Sequence, residues 1–314
     1  MGFQELRNFS HPEHSWAVDC YLQGTKPLLT HTHLDEALNG GLMPGLTILG
    51  GVASAGKSSL AVHVATNVAA TRQRVAYFTL DDTWGNVTAR SISCWSFATQ
   101  GARYQDIEIV PFRWSDVLNR TDEIPKLDLD PLKLSAYAFN MRKQNKVLGD
   151  AAVYEDVVAP YLAIIDSVAT TTEIEQLLKT AAADGEAPEL VVIDYVQQFQ
   201  TGSSDVDNSD YARVSEVATR LQQIALSMNV PILVLSSLKK IDAKEKDDPS
   251  LDWFRGSGVV GYASWAAVII TRGEKQGSGF QEIKLHTVKN KAGRTGQVTK
   301  CLLKGPYSYI GDFY

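Results

Sequence analysis

Short apolar runs recur along the chain and alternate with amphipathic stretches. The apolar runs are predicted to be buried strands, and the first five cover residues 46–49, 74–80, 161–165, 189–194 and 230–235. Helical periodicity lies between them, at residues 59–72, 91–97, 170–179 and 211–228. Three more predicted strands then follow without intervening helices, at residues 265–272, 281–288 and 296–303. This order predicts an α/β fold with a mainly parallel twisted sheet flanked by helices and an antiparallel C-terminal extension.

The connection between the first predicted strand and its helix has a phosphate-binding sequence. Residues 51–58, Gly-Val-Ala-Ser-Ala-Gly-Lys-Ser, fit the pattern G-x-x-x-x-G-K-[ST]. Small residues let the backbone N–H groups surround a polyphosphate, while the lysine contacts the β- and γ-phosphates and the hydroxyl of Ser58 binds Mg²⁺. The loop therefore predicts a nucleoside triphosphate site. The expected contacts are Gly51, Ser54, Ala55, Gly56, Lys57, Ser58 and Ser59.

Acidic residues follow two of the predicted strands. Asp81 and Asp82 end the strand after the loop, and Asp194 ends the fully apolar run at 189–194, as in a Walker B motif. The carboxyl ends of parallel strands meet at one edge of the sheet, so these side chains are expected beside the phosphate loop. Ser58 and Asp194 are the predicted metal ligands, and Asp81 is a candidate to orient a water.

Composition adds only modest constraints on domain number, partners and cellular location. With 314 residues and 44% apolar content, the chain can bury one large core, and its net charge of −6 argues weakly against a surface devoted to nucleic acid. Three cysteines without C-x-x-C spacing, no signal peptide and no long apolar run predict a cytoplasmic protein that does not enter a membrane. The histidine pairs 11/14 and 31/33 are interpreted as surface and turn residues rather than metal ligands.

The predicted organisation has a main domain and two less regular parts. Residues 1–28 form an N-terminal lead-in segment, and residues 29–314 form the ATPase domain. Within that domain, residues 104–150 are interpreted as an insertion without catalytic residues. Arg142, Lys143 and Lys146 could contact a partner or nucleic acid there, but a solvated face is the preferred interpretation.

Six pieces of sequence, in order, resemble the C-terminal ATPase domain of DnaB-type replicative helicases, a branch of the RecA superfamily. Beside the phosphate loop they are residues 34–45, 79–82, 192–197, 213–217 with 229–231, 254–258 and 289–296. The resemblance covers residues 34–305, least well at 104–150, and includes no sign of the family's N-terminal primase-contacting domain. It implies a RecA-like fold and a homo-hexameric ring with ATP and Mg²⁺ at the subunit interfaces.

The resemblance also assigns roles to individual positions. Lys57 and Ser58 would hold phosphate and metal, Asp194 would support Mg²⁺ through water, and Asp81 falls where the family has a water-activating glutamate. Lys289 and Lys291 fall where residues of the next subunit contact the γ-phosphate, with Arg294 a possible substitute for the arginine that Lys291 replaces. Ser237 stands where the family has a γ-phosphate-sensing glutamine.

Two hypotheses about function remain open. The first is an ATP-driven helicase or single-stranded DNA translocase acting in DNA replication or repair. Its candidate channel contacts are Lys239, Lys240, Lys244, Lys246 and Arg255, although the lysines fit a solvated loop equally well. The second is a KaiC/RecA-like regulatory ATPase that binds a protein partner instead of DNA. The acidic loop at 201–210 and the serine at 237 favour the second, and the order of the motifs favours the first. A small-molecule kinase is disfavoured because no lid-like arginine cluster is evident.

Overall fold

The computed structural model describes residues 26–104, 107–118, 146–202, 209–239, 249–254, 261, 263–276 and 280–312. The helices in this part of the chain are α1 His33–Leu38, α2 Lys57–Ala70, α3 Trp84–Ala98, α4 Trp114–Leu118, α5 Lys146–Val157, α6 Thr171–Ala183 and α7 Asp210–Ser227. The strands are β1 Gly45–Gly51, β2 Val75–Thr79, β3 Arg103–Tyr104, β4 Ile107–Glu108, β5 Leu162–Ile165, β6 Leu190–Asp194, β7 Pro231–Ser237, β8 Ala266–Gln276, β9 Phe280–Asn290, β10 Val298–Lys304 and β11 Tyr309–Gly311.

Nine of these strands form one sheet in the order β11-β10-β9-β8-β1-β7-β6-β2-β5. The strands from β8 through β1, β7, β6 and β2 to β5 are parallel neighbours, whereas β8 to β11 are joined by antiparallel pairings. In the parallel part, Gly51 of β1 is paired with Ser237 of β7, and Thr79 of β2 with Asp194 of β6. The carboxyl ends of β1, β7, β6 and β2 therefore lie along one edge of the sheet.

Each face of the sheet is covered by its own set of helices. On one face, α1, α2, α3 and α5 contribute buried side chains such as Leu60, Ile92 and Tyr154. On the other face, α6 and α7 contribute Ile174 and Leu221. Every residue of β1 and β6 is buried, and most are apolar, because both faces of each strand are covered. The result is a three-layer α/β arrangement around one continuous sheet.

The predicted fold class and the order of elements are confirmed. The helix expected from residue 170 begins with a capping box, in which the Thr170 hydroxyl accepts from Glu173 N and the carboxylate of Glu173 accepts from Thr170 N. The antiparallel extension also forms as predicted, although β8 and β9 are each longer than their apolar cores suggested because their polar ends still pair.

The segment at 104–150 is only partly described. Its α4 and the start of α5 pack on the body of the domain: Phe112 and Val147 join the core on the α2 side, and Ser93 of α3 donates to Phe112 O. A helix at 146–157 was not anticipated. Several regions lie outside the described residues. They are residues 119–145 with Arg142 and Lys143, the lead-in up to residue 25 with His11 and His14, most of the loops at 201–210 and 239–248, and Arg255.

Among the described helices, none is both long and apolar enough to cross a bilayer. Cys94 and Cys301 are buried free thiols. Burial raises the pKa of both thiols, and it raises that of Cys301 to about 12. Both cysteines therefore serve as apolar core residues.

Gly50 shows how tightly the end of β1 is packed. A Cβ at Gly50 would lie 2.6 Å from Cε1 of Phe254 and 2.9 Å from Cδ2 of Leu238. Gly50→Ala is therefore expected to lower the free energy of unfolding by about 1 to 3 kcal/mol, as overpacking does in well-filled cores. Urea denaturation followed by circular dichroism measures the change.

Gly85 is the matched control for that substitution. It lies in the first turn of α3, and a Cβ there would meet only Thr83 Oγ1, at 4.0 Å. Gly85→Ala should leave stability unchanged or raise it slightly because alanine is the better helix former. Equal stability of Gly50→Ala and the unmodified protein would contradict the packing described at the end of β1.

Candidate functional site

A cleft of about 690 Å³ opens at the sheet edge where β1, β7, β6 and β2 end. One wall is the turn at residues 51–58 with the start of α2, and the floor includes Asp194. The opposite wall is formed by residues that follow β2 and by the first residue of α4. The two predicted halves of the site, loop and acids, are therefore adjacent in space.

The loop takes the backbone path that its small residues were expected to allow. Ser54 has φ 56° and Gly56 has φ 104°, which is the left-handed region. A Cβ at Gly56 would lie 3.0 Å from Cδ2 of Leu303, so the loop also sits against β10. Ala55 is fully buried, whereas Ser54 is exposed. Successive N–H groups of such a turn form an anion-binding concavity at the start of a helix.

Lys57 folds back over its own loop. Its Nζ donates to Gly51 O at 2.8 Å and to Val52 O at 3.1 Å. Burial lowers the pKa of Lys57, and the nearby carboxylates of Asp194 and Asp81 oppose that shift. The ammonium group is thus held by carbonyl oxygens at the place where a bound phosphate would supply negative charge.

Arg272 braces the same loop from β8. Its Nε donates to Ser54 O at 3.1 Å, and its Nη2 donates to the same oxygen. Two donors on one carbonyl fix the crest of the loop relative to the sheet. Nothing in the sequence pattern singles out Arg272, because its contact depends on how far β8 extends beyond β1.

Asp194 is 3% exposed and is held by hydroxyl groups. The Tyr77 hydroxyl donates to its Oδ2 at 2.9 Å, and the Ser58 side chain is also hydrogen bonded to it. Burial raises the pKa of Asp194; the two hydroxyl groups and the charge of Arg90 oppose that rise, while the charge of Asp81 adds to it. Asp194 thus lies beside Ser58, as the metal-ligand prediction requires.

The two acids after β2 have different surroundings. Asp81 is exposed and its Oδ1 accepts from Gln198 Nε2 at 3.1 Å. Asp82 accepts from Asn86 Nδ2 at 2.6 Å and faces Arg90, with Nη1 3.6 Å from Oδ2. Asp81 is therefore the acid free to contact a ligand from solvent, and Asp82 is tied to the first turns of α3.

Gln197 joins the end of β6 to the end of β7. Its Nε2 donates to Ser236 Oγ at 2.9 Å, and its Oε1 accepts from Ser237 N at 3.2 Å. Ser237 lines the cleft. Ser237, to which the resemblance assigned the place of a glutamine, thus has its backbone held by a glutamine from the neighbouring strand.

Lys289, Lys291 and Arg294 do not line the cleft: Lys289 lies level with the middle of β1, and the other two follow it away from the phosphate loop. The pairing of β8 with β1 and β9 sets Lys289 level with Ile48, and Lys291 N donates to the carbonyl of Trp265, whose own N–H donates to Leu46 O. Five residues separate Leu46 from Gly51, which is about 16 Å along a strand. These three cations therefore do not join the cleft of their own chain.

Each of the three cations has its own setting. Lys289 Nζ donates to Gly261 O at 3.0 Å, and burial together with the charge of Lys291 lowers the pKa of Lys289. Lys291 is exposed, with its Nζ 5.7 Å from the ring centroid of Trp265. Arg294 is exposed beside Asn39.

The donors in the cleft fit a triphosphate and its Mg²⁺. A Cβ at Gly51 would lie 3.1 Å from Lys57 Cγ and 3.2 Å from Ala55 Cβ, so the cradle depends on a glycine there. Ser58 and Asp194 offer hydroxyl and carboxylate oxygens, which Mg²⁺ prefers. In the described part of the chain no group of three or more His, Cys, Asp or Glu side chains forms a metal site, and His33 instead contacts Asp312 at 3.1 Å.

Comparison with known proteins places this geometry in a family. The model of the DnaB-like helicase C-terminal domain matches residues 29–180 and 143–308. The chain belongs to that family. The match includes the segment at 104–150, which the sequence interpretation had set apart as an insertion.

Curated relatives are similar over part of their length. Replicative DNA helicase DnaB from Geobacillus stearothermophilus is 23% identical over 278 residues, which is 87% of this chain and 54% of that protein. Replicative DNA helicase DnaB from Mycoplasma pneumoniae is 26% identical over 166 residues, 47% of this chain and 35% of that protein. The chain thus spans about half or less of the length of these relatives.

Solved structures share the fold at low identity. The ATPase domain of G40P has a TM-score of 0.69 at 14% identity, covering 100% of this chain and 99% of its own. A DnaB-like replicative helicase studied with primase has a TM-score of 0.71 at 14% identity, covering 99% and 71%. The KaiC-like protein PH0186 from Pyrococcus horikoshii OT3 has a TM-score of 0.55 at 14% identity, covering 93% and 100%. The RecA-like fold is therefore confirmed.

The raised pKa of Asp194 predicts a trade-off between stability and function. A carboxyl whose pKa is higher in the folded state stabilises the fold at low pH, and that contribution is lost as pH rises through the folded pKa. Near neutral pH, Asp194→Asn should therefore raise the free energy of unfolding, on the order of 1 kcal/mol, and the gain should shrink at weakly acidic pH. Urea denaturation across this pH range measures it.

Asp184→Asn is the control, because Asp184 is exposed at the end of α6 and its substitution should change stability little at any pH. If Asp194→Asn destabilised the protein near neutral pH, that result would contradict the conclusion that burial disfavours the ionised carboxylate of Asp194.

Proposed function

We propose that this protein is an ATP-hydrolysing motor that acts on single-stranded DNA as a helicase or translocase in DNA replication or repair. The observation that carries the proposal is the convergence of Lys57, Ser58, Asp81 and Asp194 on one cleft. Membership of the DnaB-like helicase C-terminal domain family supports it, as do the relatives that are replicative DNA helicases.

The cis part of the site would bind the triphosphate and its metal. The N–H groups around Gly51, Ser54, Ala55, Gly56 and Ser59 would surround the phosphates, and Lys57 would exchange its carbonyl partners for phosphate oxygens. Ser58 would bind Mg²⁺ directly and Asp194 through water. Bound Mg²⁺ supplies charge neutralisation between the phosphate oxygens.

Asp81 is the proposed residue that orients and deprotonates the attacking water. It is exposed to the cleft, and Gln198 holds one of its carboxylate oxygens, leaving the other available. Aspartate is one methylene shorter than the glutamate of the related helicases, so the water must bind closer to β2. Asp82 is unsuited to that role because Asn86 and Arg90 both bind its carboxylate.

The trans part of the site is proposed to come from a second copy of the chain. Lys289, Lys291 and Arg294 do not line the cleft of their own chain, so they would contact a γ-phosphate across a subunit interface. A homo-hexameric ring with ATP between subunits, as in the resemblance, would meet that requirement.

A regulatory ATPase that binds a protein partner is the second candidate. Ser237 lacks the side chain with which the related helicases sense the γ-phosphate, and Gln197 ties its backbone to β6. The fold shared with the KaiC-like protein is compatible with this alternative. DNA dependence separates the two candidates.

ATP hydrolysis should be stimulated by single-stranded DNA, because a translocase couples turnover to strand binding. We expect several-fold stimulation by an oligothymidylate and little by the same length of duplex, measured by phosphate release. Lys57→Ala is the control and should abolish turnover under all conditions. Turnover that depends on Lys57 but ignores DNA would instead favour the regulatory ATPase.

Mixing two inactive variants tests the trans contribution. Lys57→Ala and Lys291→Ala should each be inactive alone. In randomly mixed rings about a quarter of the interfaces would combine an intact Lys57 with an intact Lys291, so ATPase activity should reappear on mixing. A mixture of Lys57→Ala with a Lys57→Ala, Lys291→Ala double variant should stay inactive. An inactive first mixture would contradict action in trans.

A further inference from the structure

Trp114, the first residue of α4, extends the cleft with an aromatic side chain. It lines the cleft together with Ser58 and Ser59. The guanidinium of Arg90 lies 5.1 Å from its ring centroid, and the same guanidinium faces Asp82. The indole is therefore held at the mouth of the cleft through a residue of α3.

Trp114 lies on the wall of the cleft that Asp82, Asn86 and Arg90 also line. Its helix α4 packs against the turn Gly305–Tyr307, which follows β10, and Gly305 also lines the cleft. The indole is thus placed between the α3 wall and the turn after β10, in the same cleft as the phosphate loop.

The lining of the cleft offers a flat apolar surface near Trp114. Among the described lining residues, the aromatic ones are Trp114 and Tyr195, and Tyr195 directly follows Asp194 at the acidic side. On the side toward β10, the lining consists of Trp114, Leu303 and Gly305. A flat apolar group joined to phosphates would find its complementary surface there, since aromatic faces stack on nucleobases.

We propose that Trp114 forms the nucleobase subsite of this cleft, where the base of the bound nucleotide packs face to face or edge to face against the indole. This inference rests on the proposed nucleotide site and adds to it a residue from the segment at 104–150. The subsite recognises a flat base by stacking, so it contributes affinity for nucleotides over inorganic phosphates.

Binding of ADP and of pyrophosphate, each with Mg²⁺, tests the subsite without turnover. Isothermal titration of the full chain should show ADP affinity about tenfold weaker in Trp114→Ala, as loss of a base stack predicts, with pyrophosphate affinity unchanged. Trp114→Phe should retain most of the ADP affinity. Trp84→Ala is the matched control: Trp84 is 62% exposed, lies outside the cleft lining and should affect neither ligand.

Tryptophan fluorescence gives an independent measurement that needs only the conservative variant. ADP should quench the fluorescence of the unmodified protein while pyrophosphate does not, and Trp114→Phe should lose the ADP-specific change. The inference is overturned if Trp114→Ala leaves ADP affinity within about twofold, or if it weakens ADP and pyrophosphate equally. If the unmodified protein binds neither ligand, the proposed nucleotide site itself fails.

Discussion

The site depends on the parallel pairing of β1, β7, β6 and β2. Because Gly51 is level with Ser237 and Thr79 with Asp194, four strands stop along one line. Side chains that are far apart in sequence, from Lys57 to Asp194, then converge with no loop rearrangement. The apolar faces of both strands at the centre, β1 and β6, are covered by helices, so the pairing cannot slip without exposing the core.

The pairing also forces a carboxylate into the interior. Asp194 ends a fully buried strand, and its ionised form is stabilised only in part by Tyr77 and Ser58. The residue is therefore retained at an energetic disadvantage, which is the usual signature of a functional position. Burial likewise disfavours the charged form of Lys57, while the charges of Asp194 and Asp81 favour it. A bound cation between phosphate and carboxylate would relieve both.

The sequence was sufficient for the strands and for the residues at their ends. Nearly continuous apolar runs predict β1 and β6 as strands that are buried on both faces. The motif spacing then locates Lys57, Ser58 and Asp194. The sequence was insufficient for Arg90 and Trp114, which line the cleft, and for Arg272, which holds the loop, because these contacts depend on how helices and strand extensions pack. Arg90 is one polar residue on a helix, and nothing in the neighbouring sequence identifies it as a residue of the site. Gln197 and Gln198 had a weak signal, since both follow the Walker B strand.

The separation of Lys291 from Lys57 constrains how copies of the chain could assemble. The cations at the end of β9 and after it do not line the cleft of their own chain, so a contact that joins them to a phosphate loop uses two different surfaces. In a dimer held by such a head-to-tail contact, one phosphate loop and one set of cations remain unpaired. Further copies therefore add until the assembly closes into a ring or grows as a filament. A two-fold symmetric dimer could pair like surfaces but would not bring Lys291 to a phosphate loop. If the cations act at the γ-phosphate, the complete site is therefore a property of the assembly, and a single chain holds its two halves apart.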